Sequence, residues 1–68
     1  MNTYNGKTIE QIQGNFPANM CDTHKKTYLA NVKRVIECQT TGYNLHEIEG
    51  LKNYNFNLIS LYLTGIIK

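Results

Sequence analysis

Tryptophan is missing from this chain, and cysteine occurs only at Cys21 and Cys38. Two thiols are too few for a disulfide framework, so both read as reduced, small hydrophobic residues. Charge of one sign is also scarce: seven basic residues face five acidic ones, for a net charge of +2. The resulting pI of about 8.6 falls short of the value above about 9 that marks dedicated nucleic-acid binders, so it permits such contact without demanding it. No apolar run reaches the ~18 residues that a membrane-spanning helix requires. The opening Met1-Asn2-Thr3-Tyr4-Asn5 lacks the basic-then-apolar pattern of a signal peptide, which places the expected location in the cytoplasm.

What is present points to one small folded domain over residues 1–68. Hydrophobic residues make up 41% of the chain and charged residues 18%, too apolar a mixture for a disordered segment. Five tyrosines and two phenylalanines supply the aromatic bulk of the core. At 68 residues a single core is near the limit of self-sufficiency without a metal, disulfides or a second subunit. The abundance of Asn, Ile, Lys and Tyr suits an AT-rich bacterial, phage or plasmid gene.

The pattern along the chain is helical. Asn5-Gly6 is a turn dipeptide closing a loose lead-in. Thr8 followed by Gln11 fits a capping box, and Ile9, Ile12 and Phe16 share one edge of a short helix ended by Gly14 and Pro17. Asp22 is the expected N-cap of a long helix running to about Thr40. Its apolar residues Tyr28, Leu29, Val32, Val35 and Ile36 occupy an arc of about 120°, with Lys26, Ala30, Lys33, Arg34 and Glu37 opposite and Lys33–Glu37 as a pair. Gly42 is placed to end it in the left-handed region, with Tyr43 packing back. Asn44 and Glu47 form a second capping-box start, with Leu45, Ile48 and Leu51 as the buried edge. Lys52-Asn53 then makes a turn, Asn55 caps a last helix from Phe56 to about Thr64, and Gly65 breaks it. The expected fold is all-α: three to four short helices in a compact helix-turn-helix-like bundle.

Residues 44–63 resemble the helix-turn-helix DNA-binding regulators. Ile48 stands where an apolar residue packs the first motif helix, Asn53 at the turn, Tyr54 as the apolar turn residue, and Ile59 and Tyr62 where the recognition helix is pinned. Glu49 departs from the pattern, which has a small residue there, as does Lys52, which replaces an apolar one. The resemblance implies a third helix in the major groove, with Asn55, Asn57, Ser60 and Thr64 facing the bases and Lys52, Lys26, Lys33, Arg34 and Lys25 meeting phosphates. So few phosphate contacts imply a dimer on two half-sites.

Other chemistry has thinner support. Cys21-x-x-His24 with Cys38 and His46 supplies four zinc-type ligands, but the second pair crosses the helix end at Gly42, so no metal is expected. The carboxylates sit at caps or on exposed faces and Cys21–His24 has no third orienting group, so no catalytic residues, cofactor or small-molecule substrate are expected. Asn5-Gly6-Lys7-Thr8 echoes only the end of a P-loop.

The apolar crowding in the last dozen residues is a separate signal. Phe56, Leu58, Ile59, Leu61, Tyr62, Leu63, Ile66 and Ile67 spread round about half the helix if it continues past Gly65, more than one neighbour covers. Of these, Phe56, Ile59, Tyr62, Leu63, Ile66 and Ile67 are expected to form a homodimer interface. Three non-enzymatic readings follow: a dimeric DNA-binding transcription regulator, a protein-binding inhibitor or anti-regulator that blocks a host protein through a helical surface, or a structural subunit of a larger assembly.

Overall fold

In the computed structural model, which describes residues 3–65, the chain is all-α. Three helices follow in order: α1 (Ile9–Gly14), α2 (Asp22–Thr41) and α3 (His46–Leu63). α2 and α3 are the frame, and α1 packs on α2. A tight turn precedes α1: Tyr4 and Lys7 exchange backbone hydrogen bonds of 2.8 and 3.0 Å. Asn5 and Gly6 supply the two positive φ values that this turn needs, 52° and 79°.

The expected caps divide. Thr8 and Gln11 form the capping box that starts α1. Gly42 closes α2 at φ 76°, its N–H donating to the Cys38 carbonyl at 2.9 Å. The N-cap of α2, however, is Cys21, with Asp22 as the first helical residue; its carboxylate still sits at the positive end of the dipole. Asn44 is not a cap either. It takes a left-handed φ of 54° and its carbonyl accepts the Glu47 N–H at 2.9 Å, while Leu45 occupies the N-cap position. Tyr43 and Leu45, expected to pack inward, are exposed; they flank Asn44 in the link between α2 and α3, where Gly42 and Asn44 both take left-handed φ values, 76° and 54°.

The largest correction lies at Lys52-Asn53. No turn forms there: residues 46–63 are one continuous helix. The physical reason is phase. Ile48, Leu51, Asn55, Leu58 and Tyr62 recur at three- and four-residue steps without a break, so one unbroken helix keeps all five on the side facing α2. A turn at Asn53 would reset that phase and strand half of the stripe.

The core has two joined parts. Tyr4, Ile12, Val32, Val35 and Ile36 form the first, with Ile9, Phe16, Tyr28, Leu29, Ile48 and Leu51 packed against it. Met20, Leu58 and Tyr62 form the second, sharing Phe16 and Tyr28 with the first. Tyr4, read as part of a loose lead-in, is only 3% exposed. Gly65, at φ 81°, follows the end of α3 as expected.

Candidate functional site

Four polar contacts fix α2 against α3. His24 meets the Tyr62 hydroxyl. Asn31 donates to the Asn55 side-chain oxygen at 3.0 Å, and the Asn55 amide donates to the Tyr28 carbonyl at 3.2 Å. Arg34 Nε donates to Glu47 Oε2 at 3.0 Å. These contacts show which side of each helix faces the other.

They also place the residues expected at DNA. Lys26 and Lys33 lie two positions beyond His24 and Asn31, and Asn57 and Thr64 lie two beyond Asn55 and Tyr62. Two residues rotate a helix by about 200°, so each of the four points away from the helix pair. The basic pair therefore projects from the outer side of α2 and the polar strip from the outer side of α3. The structure does not bring them together on one face.

Three further members of that set are engaged elsewhere. Asn55 is fully buried and holds Asn31 and Tyr28, with the Tyr4 hydroxyl also against its side chain; it is a core residue and is not presented to a base. Lys52 lies over the Tyr4 ring, its nitrogen 5.8 Å from the centroid. Arg34 bridges Glu47 and, at 3.6 Å, Glu37, so the expected Lys33–Glu37 pair is replaced by this one. The Glu47 contact holds the Arg34 guanidinium above its ordinary value. Ser60 is half-buried and its carbonyl accepts the Thr64 hydroxyl at 2.7 Å.

The expected dimer set divides too. Tyr62 is buried and Ile59 packs against the core, both within this chain. Phe56 and Leu63 remain 68% and 72% exposed. Ile66 and Ile67 lie outside the described residues. Phe56, Ile59 and Leu63 are i, i+3 and i+7 neighbours along one flank of α3. Tyr54, which is exposed, shares the other flank with Leu61, and a shallow groove runs there along Tyr54, Asn57, Leu58 and Leu61. Sequence reasoning missed this second flank, though the seven-residue spacing of Tyr54 and Leu61 was visible in it.

A separate cleft of about 200 Å³ opens on the α1 side of α3. Tyr4, Ile12, Phe16, Tyr28 and Ile59 form its walls, and Asn5, Lys7 and Asn15 its rim. Phe16 meets Tyr28 edge-to-face at 5.4 Å between centroids, and Tyr4 meets Tyr28 in the same manner at 6.3 Å. Burial pushes the Tyr4 and Tyr28 hydroxyls above their ordinary pKa. This cleft has no simple linear signature, because its lining comes from four separated stretches of chain.

Beside the second core cluster, exposed Cys21 lies 3.6 Å from the Tyr62 hydroxyl that donates to its sulfur. The backbone N–H of His24, with help from that hydroxyl, lowers the thiol below its ordinary pKa. Cys38 is a buried free thiol, so the four zinc-type ligands read from the sequence are not gathered. Among the described residues no group of three or more His, Cys, Asp or Glu is placed to hold a metal, and no helix is long and apolar enough to cross a membrane.

No family model matches the chain, and neither the curated proteins nor the solved structures contain a match to it.

Proposed function

We propose that this is a non-enzymatic binding protein of inhibitor or anti-regulator type, which engages another protein through the flanks of α3. The observation that supports this reading is the exposure of Phe56 and Leu63, 68% and 72%, on one flank, with exposed Tyr54 and half-buried Leu61 on the other. Burying a side chain of this kind is worth about 1.5–3 kcal/mol, so several left in water on one helix favour a surface that is covered in use. A second copy of the chain is one candidate for that cover, and a foreign protein is the other.

Duplex DNA is the competing partner. It has less to draw on, since the phosphate attraction that dominates such binding would come from Lys26 and Lys33, on the far side from Asn57 and Thr64.

The test compares the native protein with a Phe56→Ser/Leu63→Ser double variant, both exposed positions whose change leaves the core intact. Sedimentation at micromolar concentration and capture from lysate are the readouts. A species at twice 7.8 kDa that the variant reduces to monomer identifies self-association. A captured protein lost with the variant identifies a foreign partner. Equal behaviour of both proteins in both assays, or retardation of random duplex that fades steeply with added salt, overturns the reading.

A further inference from the structure

We infer that the cleft beside α1 is the seat for one apolar side chain of an acidic peptide segment in the partner. This inference rests on the protein-binding reading and adds the chemistry by which the partner is recognised.

Size is the first argument. At about 200 Å³ the cleft is smaller than the ~300–1,000 Å³ of sites that take a drug-sized ligand. A single aromatic or branched side chain is the object that fits. The walls agree. Tyr4, Phe16 and Tyr28 stand edge-to-face around the cavity, and an entering ring or branched chain finds faces and edges to pack on, the geometry aromatic groups prefer.

Charge is the second argument. Lys7 stands at the rim and no carboxylate lines the cleft. The ammonium of Lys52 lies 5.8 Å from the centroid of the Tyr4 ring that forms one wall. One positive charge, Lys7, thus lines a cleft of mixed character, with Asn5 and Asn15 as neutral polar groups, and a second, Lys52, stands over its Tyr4 wall. A carboxylate within one residue of the anchor satisfies this arrangement, whereas a basic segment is repelled by it.

Continuity is the third. Ile59 lines the cleft and neighbours both Phe56 and Leu63 at helical spacing of three and four residues. The exposed apolar flank therefore runs into the cleft through Ile59. A partner laid on Phe56 and Leu63 has the cleft within reach of its next side chains.

The experiment uses the full chain, labelled with ¹⁵N, and the peptide Ac-Asp-Phe-Asp-NH₂ as probe. The controls are Ac-Asn-Phe-Asn-NH₂, which keeps the anchor and removes the charge, and Ac-Asp-Ala-Asp-NH₂, which keeps the charge and removes the anchor. Saturating shifts confined to Ile12, Phe16, Tyr28 and Ile59, with the neutral peptide about fivefold weaker, are the expected result. Lys7→Glu, at an exposed position, should weaken the acidic peptide about fivefold and leave the neutral one unchanged. The alanine peptide should leave the cleft residues unshifted.

Three results overturn the assignment. One is equal affinity for acidic and neutral peptides. Another is shifts that fall on Tyr54 and Leu61 instead. The last is no saturable shift up to about 5 mM peptide, a concentration that detects even millimolar binding. Partner capture that persists through Phe56 and Leu63 while the peptide fails would reject the cleft assignment alone. Loss of capture dependence on those residues would reject the broader reading.

Discussion

A single buried polar side chain, Asn55, ties α2 to α3. Its amide is buried at the centre of the α2–α3 contact, accepting from Asn31 and donating to the Tyr28 carbonyl. From sequence it looks like a helix cap or a reader of adenine, because Asn is common at both. Only the neighbours across the interface reveal that it is a core residue. Asn55→Ala leaves a part-buried carbonyl and a part-buried amide without this partner, and should cost about 2 kcal/mol of stability, measured as a lowered urea midpoint. Asn57→Ala, two residues on and exposed, should move the midpoint by less than about 0.5 kcal/mol. Equal effects at the two sites would show that the network contributes little. Cysteine reactivity is also decided at this scale. Cys21 is exposed, with its thiol held below the ordinary pKa by the His24 N–H and Tyr62, whereas Cys38 is buried. Because the thiolate is the reactive form, a disulfide reagent at neutral pH should label one thiol per native chain quickly and the second only on unfolding. Cys21→Ser should remove the fast phase; if Cys38→Ser removes it instead, the assignment of exposure is reversed.

At the scale of elements, α1 and α2 are legible in the sequence, and the continuity of α3 is not. The reason is the kind of signal each carries. A capping box at Thr8–Gln11 and a left-handed glycine at Gly42 are local devices, satisfied by residues within a few positions, and both are present. The break expected at Lys52-Asn53 rested on Asn tolerating a left-handed conformation, which is a preference worth well under 1 kcal/mol. Against it stands the in-phase stripe Ile48, Leu51, Leu58 and Tyr62, each worth more than the preference. The stripe is disguised at its middle, where polar Asn55 fills a buried position. The tertiary partners that make Asn55 acceptable there lie more than twenty positions away, and linear pattern does not display them. The continuous helix has a direct consequence. Asn53 and Gly50 both sit in its interior, and a Cβ added at Gly50 meets nothing within 4 Å. Gly50→Ala should therefore raise stability by about 1 kcal/mol and Asn53→Ala by about half that. Loss of stability in Asn53→Ala, seen as a lower thermal midpoint, would restore a turn at that position.

For the molecule as a whole, the N-terminal turn completes the core. Tyr4 is 3% exposed, packs in one cluster with Ile12, Val32, Val35 and Ile36, and meets the Tyr28 ring edge-on. Its turn, closed by Asn5 and Gly6, folds a segment that reads as loose lead-in over the side of the helix pair covered by α1. A chain of this length has little apolar surface to spare, so one buried tyrosine links global stability to pH. Burial raises the Tyr4 pKa above the ordinary value of 10.0, outweighing the lowering by Asn55, and burial does the same to Tyr28. The sign follows from proton binding. Between the ordinary and the raised values the folded state keeps protons that the unfolded state releases, so stability falls as pH rises. The full contribution is present below about pH 10 and is lost progressively above it. Urea midpoints measured at about pH 8 and about pH 11 should therefore fall, and Tyr4→Phe, which has no proton to lose, should show a shallower fall than the native chain. An unchanged slope in Tyr4→Phe would mean that the Tyr4 hydroxyl ionises as freely in the fold as in water, and that the N-terminal turn is not closed over the core.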